Sequence, residues 1–203
     1  MDWDEIASTW DERDEVRSYA AAAYQSLEHQ CELIGFALAG ARACDYGCGT
    51  GLLSEYLAKH CSAVVAVDRS AQMIAALRTK VADRGLERVV PIVADLTPEL
   101  IGDHQAFQAP FDLVTCSSVC AFVDDYPQTV KLLAGCLRPG GLFVQWDWEL
   151  DPAADEPFGL TRDSIRSALT AANLEPVYID TGFRITQEDH QMAPLMGIGR
   201  SKQ

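Results

Sequence analysis

CDYGCGTG, residues 44–51, sets three glycines at alternate positions, with an aspartate two residues before the first. Glycines this dense let the backbone bend where a side chain would forbid it, or let a ligand lie against bare main chain. The run in front, ARACDY, reads as a strand, and residues 52–59 behind it read as a helix. The alternation continues outward through AVVAVD (63–68), a helix over 71–83, RVVPIVAD (88–95), FDLVTCS (111–117), a helix over 127–137 and GLFVQWDW (141–148). Strand and helix in turn predict an α/β fold, a parallel sheet with helices on both faces. A helix over 161–173 follows, and then EPVYIDTGFRI and QMAPLMGIGRS read as two strands joined too tightly for a parallel crossover. The expectation is a doubly wound, Rossmann-like sheet of seven strands whose last hairpin adds one antiparallel strand. Ahead of the sheet, apolar residues recur at helical spacing from Trp3 to about Ala39, which predicts a helical N-terminal segment. The acidic DPAADEPFG (151–159) reads as a loop.

A chain of 203 residues with 48% hydrophobic content is long enough to bury a core and short enough to predict one domain over residues 1–203. Its net charge of -14 argues against a nucleic-acid partner, because such binding rests on Lys and Arg neutralising phosphates. The seven cysteines are odd in number and lie in mostly apolar stretches, so they read as buried thiols in a reducing cytoplasm. None stands at zinc-site spacing, and no metal is expected. The leading MDWDEIAS lacks a basic-then-apolar signal, and no apolar run approaches the ~18 residues that span a bilayer. A cytoplasmic protein without a membrane partner is expected.

The loop after the first strand of such a sheet lies at the carboxyl edge, where open α/β sheets bind their ligands. A dinucleotide fingerprint begun at Gly47 would need a small residue at position 52, where this chain has Leu52, and no Gly-Lys-Ser/Thr follows to make a Walker loop. Asp-x-Gly-x-Gly-x-Gly instead resembles motif I of the class I S-adenosylmethionine-dependent methyltransferases of small-molecule type. The resemblance extends through VDRS, VADL, FDLVTCSS and LRPGGLFV, in order, over nearly the whole chain. It implies S-adenosylmethionine as cofactor and S-adenosylhomocysteine as product. It also implies donor contacts from Asp45, Gly47, Cys48 and Gly49 in the loop, and from Asp68 and Arg69 after the second strand. Asp68 would grip the ribose hydroxyls, where a charged acceptor makes the stronger hydrogen bonds. Asp45 would hold the loop amides or reach the ligand's ammonium group. Met73 would pack along the adenine face, Ala94, Asp95 and Leu96 would meet the adenine, and Ser117 would stand near the reacting methyl. In small-molecule members a leading helix with an aromatic-Asp pair closes over the donor, and Trp10-Asp11 resembles that pair, with Trp where Tyr is more usual. Residues 1–39 would then form a lid in which Trp10 covers the methionine moiety and Tyr19 supplies a polar contact.

Each residue also has a plain structural reading. Taken singly, Asp68 and Asp95 fit strand-end turns or helix caps, and Met73 fits core filler. Gly140 and Gly141 read as a turn. Trp146 and Trp148 would share a face if the strand continues, either as core or as the lining of an acceptor pocket between residues 117–125 and 146–155. His29, His60, His104 and His190 fall in no catalytic constellation. Because a sulfonium is a good leaving group, methyl transfer needs chiefly an aligned acceptor in a water-poor site, and the catalytic residue stays unknown; Asp124, Asp147 and His190 are guesses for a base. The fourth strand lacks an Asp/Asn-Pro-Pro-aromatic stretch and a Pro-Cys pair, which leaves a small molecule as acceptor. A non-catalytic donor-binding protein and a nicotinamide-dependent oxidoreductase on the same sheet remain the alternatives.

Overall fold

The computed structural model describes residues 2–187 and 190–202. The elements run α1 (Trp3–Ile6), a 3-10 turn (Ala7–Glu12), α2 (Asp14–Ile34), β1 (Arg42–Tyr46), α3 (Leu52–Leu57), β2 (Ala63–Asp68), α4 (Ala71–Arg84) and β3 (Val89–Val93). They continue with α5 (Pro98–Asp103), a second 3-10 turn (Gln105–Phe107), β4 (Phe111–Ser117), α6 (Tyr126–Ala134), β5 (Leu137–Asp147) and α7 (Arg162–Ala171). The chain closes with β6 (Leu174–Thr181), β7 (Ile185–Gln187), β8 (His190–Met192) and β9 (Leu195–Ser201). Seven strands form one sheet in the order β3-β2-β1-β4-β5-β9-β6, while β7 and β8 make a separate ribbon. β9 runs antiparallel to both β5 and β6, and β1-β2, β2-β3 and β4-β5 are parallel. The fold is thus the Rossmann-like α/β sheet with one reversed strand.

The residues fall into two compact units, one ending at Asp95 and the other beginning at Leu96. In the first, AVVAVD of β2 is buried at every position after Ala63, the pattern of a parallel strand covered on both faces. β3 buries only Val89 and Ile92 and carries Pro91, which an edge strand tolerates because the N–H that proline lacks would have no neighbouring strand to pair with on the open side. Pro176 stands in the other edge strand, β6, at a register shift against β9. α2 buries Tyr19, Ala20, Ala23, Tyr24, Leu27 and Cys31, a stripe at helical spacing, and ends at Gly35 in the left-handed region (φ 67°).

Two expectations change in detail. The leading segment is not one helix to residue 39: it breaks at Arg13, whose backbone is extended, and α2 stops at Ile34. No Gly or Pro signals the break at Arg13; Asp4 before the 3-10 turn and Asp11 within it are instead held by side chains and an amide at the start and along the length of α4, and these tertiary contacts set the path. The two strands expected at the C-terminal end are each interrupted. The chain bends at Gly182, where a Cβ would stand 2.9 Å from Trp146 Cδ1 and Met196 Cβ, and Pro194 supplies no ladder N–H. Among the described residues no helix is long and apolar enough to cross a membrane, and no group of three or more His, Cys, Asp or Glu could hold a metal ion.

Candidate functional site

In the first unit, the glycine loop hangs from the end of β1 and is tied to the end of β2. The amides of Gly47 and Cys48 donate to Val67 O (2.7 and 3.1 Å), Gly51 N donates to Cys48 O (2.9 Å), and Gly49 N donates to Asp68 Oδ2 (2.8 Å). Asp68 Oδ1 accepts from Ser70 N at 2.8 Å, and Ser70 caps α4 by accepting from Met73 N at 3.0 Å. One carboxylate therefore fixes both the loop and the helix that follows β2. Burial raises the Asp68 carboxyl above its usual value, against the lowering pull of the two amides and Arg69. An ionised carboxylate offers about four lone-pair sites, so two amides leave acceptor capacity for a diol.

Asp45 is buried and accepts from Ser54 Oγ at 2.6 Å, fastening the first turn of α3 to β1. The described loop amides at 47, 48, 49 and 51 are held by Val67, Asp68 and Cys48 rather than by Asp45. The Cys48 thiol, held well above its usual value by burial and then by the Asp45 and Asp68 carboxylates, stays protonated and donates to Gly49 O at 3.5 Å.

The glycines divide into two jobs. Gly51 (φ 81°) is a packing glycine: a Cβ there would lie 2.3 Å from Leu77 Cδ1 of α4. At Gly49 (φ 54°) a Cβ would meet nothing nearer than Met73 Sδ and Trp10 Nε1, both at 3.9 Å. The loop at Gly49 thus presents bare main chain to a space edged by an indole and a thioether, a cradle that fits a flat or apolar portion of a ligand.

The N-terminal segment borders this cradle through Trp10. Trp10 meets Trp3 edge to face with centroids 5.8 Å apart, and the Arg13 guanidinium lies 5.3 Å from the Trp10 ring. Asp4 Oδ1 accepts from Ser70 Oγ (2.5 Å) and Gln72 N (3.2 Å), contacts that hold its carboxyl below the usual value. Asp11 Oδ1 accepts from Thr50 Oγ1 at 2.5 Å, and Lys80 Nζ stands 2.8 Å from Asp11 Oδ2. Tyr19 is buried on the inner face of α2. Beyond β2, Ala94 N donates to Asp68 O at 3.0 Å, and exposed Arg69 and Asp95 pair at 3.8 Å. Trp10, Gly49, Asp68 and Met73 are therefore brought together around one loop, and Ala94 is joined to it through Asp68. Thr50 and Ser70 stand inside the motifs CDYGCGTG and VDRS with no role expected of them there, and Lys80 had no sequence signal: it lies at a core position of α4 where the helical pattern predicts an apolar side chain. A cleft of about 500 Å³ lined by Leu52, Tyr56, Lys59, Arg84 and Arg88 contains none of the candidate residues.

Leu96 and Ser117 belong to the second unit. Ser117 ends β4 opposite Trp146, and Ser118 follows in the left-handed region (φ 57°), its N–H donated to Trp146 O at 2.7 Å. Trp146 is fully buried, whereas Trp148, just past the end of β5, is half-buried. Asp147 is also fully buried: its carboxylate accepts from Ala121 N (3.0 Å) and Gln145 Nε2 (3.2 Å), with the Cys120 thiol and amide adding to it. Tyr126 donates to Gln145 Oε1 at 2.7 Å. Burial pushes the Asp147 carboxyl up to about 7, although all its hydrogen bonds pull it down. Ala121 leads into Phe122, whose exposed ring lies 4.8 Å from exposed Phe158. Phe158 sits in the loop closed by the Glu149–Leu160 bridge. Asp124 is exposed, His29 is exposed, His60 stacks on Tyr24, and His104 Nδ1 accepts from Ala106 N at 3.1 Å. The side chain of His190 lies outside what the structure describes.

The family profile described as "Methyltransferase domain" matches residues 44–145, just over half of the chain. A ubiquinone biosynthesis O-methyltransferase of Xylella fastidiosa (strain 9a5c) is 40% identical over 109 residues, covering 53% of this chain and 42% of that protein. The same enzyme of Xanthomonas oryzae pv. oryzae (strain PXO99A) is 36% identical over 118 residues, covering 58% of this chain and 47% of it. The chain thus spans about half the length of these curated relatives. Among solved structures, the magnesium protoporphyrin IX methyltransferase from Synechocystis PCC 6803 with bound SAH superposes with a TM-score of 0.69 at 16% identity, over 92% of this chain and 84% of that one. At such identity the likeness speaks for the fold.

Proposed function

Because the chain belongs to the methyltransferase-domain family, we propose that it binds S-adenosylmethionine on the glycine loop of the first unit and transfers its methyl to the hydroxyl of a small molecule. The observation that carries the donor assignment is the convergence on Gly49: Asp68 holds its amide, and Trp10 Nε1 and Met73 Sδ edge the open space in front of it. When bound, the donor supplies a methyl on a sulfonium, a leaving group that needs no covalent intermediate on the protein. This chain's residues bind and orient. Asp68 accepts hydrogen bonds from a diol with its remaining lone pairs, Ala94 and Asp95 flank the adenine, and the N-terminal segment excludes water by covering the loop. In the second unit, Phe122 and Phe158 offer an exposed aromatic pair suited to a ring-bearing acceptor. Asp147 is fully buried, so it holds the loop after β4 through Ala121 rather than meeting the acceptor. A hydroxyl acceptor agrees with the O-methyltransferases of ubiquinone biosynthesis that this chain resembles.

The net charge of -14 fits a cytoplasmic enzyme of small molecules rather than a nucleic-acid modifier. The chain acts in this reading as one methyltransferase domain, residues 1–39 serving as its lid. Titration calorimetry with S-adenosylmethionine and S-adenosylhomocysteine tests the donor site. A screen of catechols, phenols and amines read by S-adenosylhomocysteine release tests the acceptor. Donor binding without turnover on any acceptor supports a binding protein; no donor binding overturns the proposal.

A further inference from the structure

α4 carries a buried cation in its C-terminal half. Met73, Ile74 and Leu77 form its apolar inner face, and Lys80 stands in the next position of that same stripe, 9% exposed. A charge taken out of water is costly unless it is paired on every side it can reach. Lys80 Nζ is 2.8 Å from Asp11 Oδ2 and 2.9 Å from Glu55 Oε1, so it joins the N-terminal 3-10 turn to α3. Arg84, one helical turn on, takes Glu55 Oε2 at 2.5 Å and so fixes the second carboxylate from outside. The free oxygen of Asp11 takes the hydroxyl of Thr50, which lies inside the glycine loop. The residue before Asp11 is Trp10, whose indole edges the space in front of Gly49.

We propose that Lys80 is the positioning residue of the donor site: it locks Asp11 against Thr50, and that lock sets Trp10 over the glycine loop. This rests on the donor assignment above, and no substrate is touched by Lys80 itself. Without the cation, Asp11 and Glu55 are two carboxylates facing each other in a half-buried site. Asp11 then swings its carboxylate toward water and shifts Trp10 with it, although the Thr50 hydroxyl, the Asp4 contacts and the Arg17 guanidinium on Asp11 O still tether the segment. Arginine at position 80 keeps the charge and can bridge both carboxylates, so it preserves the lock, whereas a neutral side chain of similar length does not.

The test uses the full chain and four variants, Lys80→Met, Lys80→Arg, Asp11→Asn and the double Lys80→Met/Asp11→Asn. Donor affinity is measured by calorimetry with S-adenosylhomocysteine, and amide hydrogen exchange is followed over residues 3–12 and 47–51. Lys80→Met and Asp11→Asn are each expected to weaken the donor tenfold or more and to speed exchange in residues 3–12 while α2 keeps its protection. Lys80→Arg is expected to restore both readouts, and the double variant to be no worse than either single one, because both act through the same contact. Should Lys80→Met fail to fold, Asp11→Asn, a change of one group in the half-buried 3-10 turn, decides the matter alone. Wild-type exchange and affinity in a folded Lys80→Met or Asp11→Asn protein would overturn the proposal. If the wild type binds no donor, the assignment of the site falls, and the exchange arm still decides whether Lys80 holds the segment.

Discussion

Asp147 makes the stability of this protein depend on pH in a way that one substitution can isolate. Its carboxyl is fully buried at the end of β5 and stands at about 7, against 3.8 for the same group in an open chain. Below the open-chain value both states hold the proton and the residue contributes no pH dependence. Between 3.8 and about 7 the folded state holds more protons than the unfolded one, so stability falls as pH rises through that window and the loss is complete above it. Each pKa unit is worth ~1.4 kcal/mol, so the gap amounts to about 4 kcal/mol. The groups facing Asp147 do not titrate there: burial holds the Tyr126 hydroxyl above its usual value, and the Cys116 contact and burial together do the same for the Cys120 thiol. Asp147→Asn keeps an acceptor for Ala121 N and titrates nothing, so the difference between the two proteins removes every other carboxylate from the comparison. Urea unfolding followed by circular dichroism across pH 4 to 8 is expected to show the variant gaining about 4 kcal/mol on the wild type from the acid to the alkaline end. The pH-independent offset from altered hydrogen bonding does not affect that slope. A gap that stays flat over the range would show Asp147 ionising like a surface carboxylate and would refute the reasoning.

Asp68→Ala removes the acceptor of the Gly49 and Ser70 amides, and charged hydrogen bonds of this kind are worth roughly 1.5–3 kcal/mol each, so donor affinity measured by calorimetry is expected to fall at least tenfold. Gly51→Ala puts a Cβ 2.3 Å from Leu77 Cδ1 at a left-handed position, and thermal unfolding is expected to show a loss of about 2–5 kcal/mol, combining backbone strain and overpacking. Gly49→Ala meets only the strain of its φ and ordinary contacts at 3.9 Å, so it is expected to fold with a smaller loss while weakening the donor; equal destabilisation of the two variants would contradict the division between a packing and a ligand glycine. Removing residues 1–13, a cut that leaves Tyr19 and the rest of α2 in place, is expected to preserve the far-ultraviolet spectrum apart from one short helix and to abolish tight donor binding.

Periodicity and spacing were enough for the order of strands and helices, because the apolar runs of β1 to β5 are local features that any sheet of this kind must bury. That the glycine loop, Asp45, Asp68 and the Ala94-Asp95 pair stand at strand ends was legible for the same reason, since a strand end can be counted along the chain; the donor contacts expected of them came from the family resemblance alone. The reversed strand β9 followed from the short connection before it, although the bend at Gly182 and Pro194 that splits that hairpin depends on Trp146 and Met196 crowding Gly182 from across the sheet. What tertiary structure alone decided is which partner each polar group meets. Asp45 turned to Ser54 and the loop amides to Val67 and Asp68, and Gly51 took the packing role against Leu77 that a dinucleotide fold would give to a residue one place later. Lys80 was invisible for the most physical of reasons. A lysine in an apolar stripe is readable as an error in the pattern until two carboxylates, 25 and 69 residues before it in the chain, are seen to close on it at 2.9 and 2.8 Å. Burial of charge is decided by partners distant in sequence, and only the folded chain brings them together.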